Sequence, residues 1–262
     1  MKKIAISMPV HEAPDCIENQ LHNIFKYVPN SIVVLHVSLD SSTLLRKIES
    51  FLPQFGGSVF INPTRYHTFK HDEAAQVTNL STVHASNIRY ITSVVADIDV
   101  MAFETSNDMF VRHGIEDMFN NYTCGCSAVI MEPDDFPFID TVLYLRKVID
   151  PKIACKAPQE GLWVPIEAAK FFAEKIEELE KVLGMYIPGE EGFLANLCLN
   201  YDTSMLNNNS GHYVYHNSAE GGAVDLNKIT EVRNGQIPFK YAVKRVPRNI
   251  NDSIRKLIND LD

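Results

Sequence analysis

The sequence predicts an α/β fold, a doubly wound, mostly parallel sheet flanked by helices, in a single domain over residues 1–262. Three observations predict it. Through the first hundred residues, short apolar runs alternate with longer stretches whose apolar residues recur at helical spacing. Strands separated by helices pair in parallel through right-handed crossovers. The composition, 45% hydrophobic and 22% charged, is ordinary for a globular chain, and no repeat, low-complexity run or composition break marks a linker.

The opening Met1-Lys2-Lys3 followed by apolar residues has the outline of a signal peptide. The run is too short and Pro9, His11 and Glu12 interrupt it, so Ile4–Val10 reads as the first strand. Pro14–Tyr27 follows as a helix with Ile17, Leu21, Ile24 and Phe25 on one face. Residues 31–38 form a buried-type strand, and 41–52 a helix with Leu44, Leu45, Ile48 and Leu52 inward. Residues 58–62 make a third strand, 71–96 a long helix and 99–104 a fourth strand. The second half is less regular. Strands are expected at 127–131 and 162–166, helices at 138–148, 167–183 and 252–261, and a long polar loop at 202–222 around a short strand at 212–215.

Ligands of such sheets bind beyond the carboxyl ends of the strands. That rule selects His11, the stretch from Ser38 to Ser42, Asn62 to Arg65, and Ser106-Asn107-Asp108. The familiar phosphate cradles are absent, since neither GxGxxG nor a Walker A sequence occurs, and GxSxG and HExxH are missing as well. A net charge of −9 argues against a nucleic-acid partner. No segment approaches the roughly 20 apolar residues that span a bilayer. The five cysteines are odd in number and scattered, and Cys124-Gly125-Cys126 is one residue short of CxxC, which suits buried thiols in a reducing cytoplasm.

Three groups of residues carry candidate chemistry. Asp97-Ile98-Asp99 is a DxD of the kind that holds Mg²⁺ or Mn²⁺ against a diphosphate. It sits at the entrance of the fourth strand, away from the ligand end, which favours polar residues at a helix end. Lys240, Lys244, Arg245 and Arg248 form the one dense basic cluster, either a solvated face or a clamp for a leaving diphosphate. Alternation with Phe239, Tyr241, Val243 and Val246 predicts a strand there, with Lys240, Lys244 and Arg248 in related directions and Arg245 opposite. Glu190 and Glu191 follow a Pro-Gly turn, where they cap the next helix or supply a general base.

Taken together, several short motifs resemble the core-2/I-branching N-acetylglucosaminyltransferase family. Val10-His11, then Asn30-Ser31-Ile32-Val33-Val34-Leu35-His36-Val37, looks like the family's opening with a strand ending in His-Val-Asp. Ser106-Asn107-Asp108 is similar to its Ser-Gly-x-Asp turn, and Gly161-Leu162-Trp163-Val164-Pro165-Ile166 to its Gly-Ser-x-Trp segment. Ile187-Pro188-Gly189-Glu190-Glu191-Gly192-Phe193-Leu194-Ala195-Asn196 resembles the Pro-Asp-Glu segment, and Tyr241-Ala242-Val243-Lys244-Arg245 the Phe-Ala-Arg-Lys segment.

The resemblance implies a GT-A type fold and an inverting, metal-independent glycosyltransferase, with residues 1–110 binding a nucleotide-sugar and 111–262 serving the acceptor and catalysis. It implies Glu191 as base with Glu190 behind it, and Lys244 on the leaving diphosphate. Ser38 stands where the family has an aspartate and Val243 where it has an arginine, so Arg245 or Arg248 would supply the second cation, beside Lys240. His11, Ser38, Asn62 and Arg65 are expected around the nucleotide, with uridine as the default base. Asp108, Asn107, Glu160 and Trp163 are expected around the sugars, Trp163 either stacking or packed in the core, and Glu160 as a second candidate base. The expected partners are a nucleotide-sugar donor and a glycan or lipid-linked acceptor of capsule or lipopolysaccharide type, as in bacterial relatives. The expected location is cytoplasmic, with peripheral membrane contact allowed. The alternatives are a metal-dependent transferase using Mg²⁺ or Mn²⁺ at Asp97 and Asp99 or at Asp108, and a non-catalytic carbohydrate- or nucleotide-binding protein.

Overall fold

The alternation of apolar and amphipathic segments produces β1 (Ile4–Val10), α1 (Pro14–Tyr27), β2 (Ser31–Val37), α2 (Ser42–Phe51), β3 (Val59–Ile61), α3 (Leu80–Val94) and β4 (Val100–Phe103). The computed structural model describes residues 1–11, 13–68, 79–184, 192–216 and 223–261. β1 pairs in parallel with β2 on one side and β4 on the other, Ile6 lying opposite both Val33 and Ala102. β2 pairs in parallel with β3. The chain thus winds outward from β1 to β3, then returns to the far side of β1, which puts the topological switch point between β1 and β4.

The second half adds β5 (Met109–Phe110), α4 (Ile115–Asn121), β6 (Val129–Met131), α5 (Ile139–Leu145), β7 (Ala154–Lys156), β8 (Trp163–Pro165), α6 (Ile166–Leu183) and α7 (Phe193–Tyr201). β9 (Val214–Tyr215), α8 (Leu226–Arg233), β10 (Ala242–Val243) and α9 (Ser253–Asp260) complete it. The central sheet runs β3-β2-β1-β4-β8, with β8 antiparallel at the edge. A smaller sheet, β5-β10-β9, stands beyond the carboxyl end of β4, and β6 pairs with β7 apart from both.

The strands of the first half are buried on both faces. Ile4, Ile6, Met8 and Val10 join one core with Ile17, Leu21 and Ile24 of α1 and Leu44 and Ile48 of α2. Ala5, Val34 and Met101 join the other, with Ala85, Ile88 and Ile91 of α3 and Phe172 and Ile176 of α6. This is the two-residue alternation of a strand read against helices on both sides.

Several elements depart from expectation for identifiable reasons. The helix expected over 71–96 is described from Leu80, where the Asn79 side chain accepts from the Ser81 N–H at 2.7 Å. Its other end is set at Val95, which turns extended at φ −125° and ψ 121°. The strand expected through the basic tail shrinks to two residues because Arg245 takes φ 67°, incompatible with a pleat.

The short strands of the second half are held by asparagine side chains acting as strand neighbours. The Asn23 amide donates to the Phe110 carbonyl and accepts from its N–H, at 2.9 and 2.7 Å. Asn196 does the same for Cys155, at 2.7 and 2.8 Å, and Asn209 for Cys126, both at 2.8 Å. Each amide satisfies both backbone groups of a residue that would otherwise lack partners.

Candidate active site

Glu104 is the first residue past β4, and its N–H still extends the ladder, donating to the Ser7 carbonyl at 3.1 Å. The chain then turns tightly. Asp108 Oδ2 accepts from both the N–H and the hydroxyl of Thr105, each at 2.9 Å, while Gln20 of α1 donates to the Thr105 and Asp108 carbonyls, each at 2.7 Å. The turn is therefore locked against α1 at the switch point. Glu104 and Asp108 are both buried, and among the described residues neither Glu104 oxygen nor Asp108 Oδ1 has a hydrogen-bond partner.

Burial without compensating donors disfavours the charged form. Burial, reinforced by Asp108, pushes the Glu104 carboxyl well above the usual carboxylate range. Asp108 rises to about 7, first from burial and then from the charge of Glu160, with Lys244 pulling the other way. The two acids thus keep protons at pH values where exposed carboxylates have lost them.

Glu160 reaches the same place from the turn before β8. Gly161 makes that turn possible. Its φ is 78°, and a Cβ there would fall 2.6 Å from the Val214 nitrogen. Its N–H donates to the Phe103 carbonyl at 2.8 Å and its carbonyl accepts from the Tyr213 N–H at 3.2 Å, tying β4, the turn and β9 together. Glu160 forms an ion pair with Lys244, which follows β10, and their side chains are only 15% and 20% exposed. Burial pushes Glu160 up, but the charge and hydrogen bond of Lys244 outweigh it and leave the carboxyl below its usual range.

Two histidines and a second lysine border this pair. His216 Nε2 donates to the Glu160 carbonyl at 2.9 Å. Burial lowers both His212 and His216, so both rings are neutral near pH 7. Lys240 donates to the His212 carbonyl, and burial draws it down to about 8. Tyr213 lies parallel to Phe110 with centroids 5.7 Å apart and is pushed well up by burial, then by Glu104. Deeper in the sheet, the Ser7 hydroxyl meets His84 Nδ1 at 2.7 Å and accepts from Asn87 at 3.0 Å.

The structure brings together Asp108, Asn107, Glu160, Lys240 and Lys244 of the expected residues. Asn107 accepts from the Thr105 hydroxyl with its side chain and from the Val246 N–H with its carbonyl, joining the turn to the basic tail. Arg245 is partly buried, and its Nη1 has no partner among the described residues. Arg248 is exposed, as is His11. Glu190 and Glu191 lie outside the described residues.

The remaining expected residues stand elsewhere in the fold. Trp163 is fully buried, edge-on to Phe119 with centroids 5.0 Å apart, so it is a core residue and offers no face to a sugar. Asn62 is also buried, donating to Ser86 and Asn87 at 2.9 and 3.0 Å and accepting from the Thr64 N–H at 2.9 Å. It closes the β3–α3 contact and has no free donor for a nucleotide. Arg65 spends its guanidinium on the end of β2, donating to the carbonyls of Val37, Ser38 and Leu39. Ser38 is buried in the same corner, accepting from the Thr68 N–H at 3.2 Å. Asp97 and Asp99 stand at the opposite end of β4 from the cluster, and Asp99 Oδ2 already accepts from the Lys3 N–H at 2.7 Å. Among the described residues, no three His, Cys, Asp or Glu side chains converge to hold a metal ion.

Glu104, His212, His216 and Tyr213 were not singled out from the sequence. A signal existed for the histidines, which flank the short strand at i and i+4 in an otherwise polar loop. For Glu104 the signal was an acid ending an apolar run at the ligand end of a strand.

The fold and site thus define a doubly wound α/β protein with an acid–lysine cluster at the switch point of its sheet. No protein-family model matches the chain, and no curated protein matches it. Among solved structures it is similar to the galactosyltransferase LgtC in complex with donor and acceptor sugar analogs, at 8% sequence identity and a TM-score of 0.49, over 98% of this chain and 94% of that one. A likeness at that level carries no argument about chemistry.

Proposed function

We propose that the protein is a metal-independent, inverting glycosyltransferase of GT-A type that moves a sugar from a nucleotide diphosphate to a glycan acceptor, with uridine as the default base. The observation that carries this reading is the convergence of Lys244 and Lys240 with Glu160 and the Asp108 turn beyond the carboxyl end of β4. A sugar transfer needs a cation where the diphosphate departs and carboxylates around the sugar, and these residues stand in one place.

In the reaction, the acceptor oxygen attacks the anomeric carbon as the bond to the diphosphate oxygen breaks. The acceptor proton passes to a carboxylate, and the electron pair of the broken bond leaves with the diphosphate. Lys244, backed by Lys240, meets that charge. Glu191 is the proposed base, with Glu190 behind it and Glu160 as the competing candidate. A lipid-linked or polysaccharide acceptor in the cytoplasm belongs to the same proposal. Among the described residues no helix is long and apolar enough to cross a membrane.

The test is thermal stability of the purified protein against a panel of nucleotides and sugar nucleotides, in EDTA and in Mn²⁺. A ligand that binds only the folded state raises stability with the logarithm of its concentration over Kd. The expected result is a shift with one nucleoside diphosphate in EDTA, absent in Lys244→Ala. A shift that needs Mn²⁺ would replace the lysine clamp with a metal at Asp108, and no shift with any nucleotide would sink the transferase reading.

A further inference from the structure

We propose that Glu160 is an internal stand-in for the diphosphate, its carboxylate holding Lys244 until a nucleoside diphosphate takes its place. The inference rests on the function proposed above and concerns the same site.

The geometry that carries it is the isolation of the ion pair. Glu160 is the one carboxylate paired with Lys244 among the described residues, and both side chains are largely withdrawn from water. Taking two charges out of water costs several kcal/mol, which a single contact recovers poorly. A pair built for stability would add several further donors to the carboxylate. Here, among the described residues, the Glu160 backbone adds one hydrogen bond and the neighbouring side chains add none. His216 spends its Nε2 on the Glu160 carbonyl, not on the carboxylate, and Lys240 spends its ammonium on the carbonyl of His212. His212 Nε2 is buried beside them with no partner among the described residues. Both lysines lie close enough to His216 to act on its charge, while Glu160 pairs with Lys244 alone, and a dianionic diphosphate could meet both cations where Glu160 meets one.

The groups facing Glu160 set its protonation once Lys244 is drawn away. They are His216 past β9, Asp108 and Glu104 past β4, and His84 on α3. Without Lys244, Glu160 is left buried with two acids for neighbours and no cation of its own. Its carboxylate then takes a proton from solvent. Diphosphate binding is thus coupled to uptake of up to one proton per site, and the exchange spends part of the binding energy, which favours ligands bearing two phosphates over one.

Isothermal titration with uridine diphosphate and with inorganic pyrophosphate tests this, in EDTA, at pH 7, in two buffers of different ionisation enthalpy. The proteins are the wild type, Glu160→Gln, Glu160→Asp and Lys244→Ala. Removing the competing charge in Glu160→Gln should tighten binding about ten-fold, equivalent to about 1.4 kcal/mol. The proton taken up by the wild type should vanish in that variant. Glu160→Asp keeps the charge on a shorter arm and should fall between the two, which separates the stand-in from damage to the turn. Equal or weaker binding in Glu160→Gln, with proton uptake unchanged, would overturn the stand-in. If Lys244→Ala still abolishes binding in that case, the diphosphate site of the proposed function survives. Failure of both ligands to bind any of the four proteins would overturn both.

Discussion

Replacing Asp108 with asparagine should make the protein more stable, and only above mildly acidic pH. The folded protein raises Asp108 from its ordinary 3.8 to about 7. Between those values the folded state binds a proton that the unfolded chain has released, so stability falls as pH rises and levels off above the folded value. Each pH unit inside the window is worth about 1.4 kcal/mol per proton. With the unfolded group near 3.8 and the folded group near 7, the wild type should lose about 2.5 kcal/mol from this residue between pH 5 and pH 8. Asparagine does not titrate. Its Oδ1 can accept the same two Thr105 hydrogen bonds that Asp108 Oδ2 accepts, and its amide puts a donor where Asp108 Oδ1 has no partner. Urea unfolding of both proteins from pH 5 to pH 8 is the assay, read as the difference between them so that groups distant from Asp108 cancel and only those coupled to it, Glu104 foremost, remain. The variant should be more stable at pH 8, by as much as about 4 kcal/mol, and the gap should narrow steadily toward pH 5. Parallel profiles, or a variant less stable at pH 8, would refute the assignment of a proton to this buried acid.

Two further predictions concern the frame around the site. Gly125→Ala would place a Cβ 1.9 Å from the Trp163 indole nitrogen and 2.6 Å from the Gly211 carbonyl, so it should cost about 3 kcal/mol in urea unfolding, and an unchanged midpoint would show that the contact yields. Asn196→Ala strips both partners from the buried backbone of Cys155 and should cost about 2–4 kcal/mol, with Asn196→Asp recovering part through the retained acceptor; equal losses in the two variants would place the effect in packing instead.

The central sheet was legible because its strands alternate with helices and are buried on both faces, so that composition and period pointed the same way. β1 and α1 occupy the expected residues, and the switch point follows from their order. The second half was harder to read for a physical reason. β5, β7 and β10 are two or three residues long, too short for any period to register, and they persist because Asn23 and Asn196, and the contacts of β9, supply what a longer ladder would. Nothing in an isolated asparagine announces that its amide will pair with a backbone 41 or 87 residues away. The site divides in the same way. Asp108 was singled out because it lies just past a strand-like segment, Glu160 because it precedes the Gly-Leu-Trp segment, and Lys244 because its cluster is dense. Trp163 was assigned two roles because an aromatic beside a turn looks the same whether it faces a cleft or Phe119. Glu104 was missed because a single acid after an apolar run also looks like a strand end meeting solvent, and only the sheet β5-β10-β9 beyond β4 buries it.

The protonation pattern of the cluster bears on which carboxylate can act as base. A base must be ionised and must have a lone pair free toward the acceptor. Glu104 stays protonated in its buried position, and Asp108 is at best half ionised near neutral pH while its Oδ2 is committed to Thr105. Glu160 is ionised, but Lys244 is the reason, and an oxygen held by an ammonium is a weak proton acceptor. Once the diphosphate takes Lys244, Glu160 gains a proton and is again unsuited to the role. Each of the three described acids is therefore disqualified by its surroundings at the moment the acceptor must lose its proton. Glu104, Asp108 and Glu160 are thus groups that set charge at the switch point, and the proposed function keeps Glu191 as its base, with Glu190 behind it and Glu160 competing.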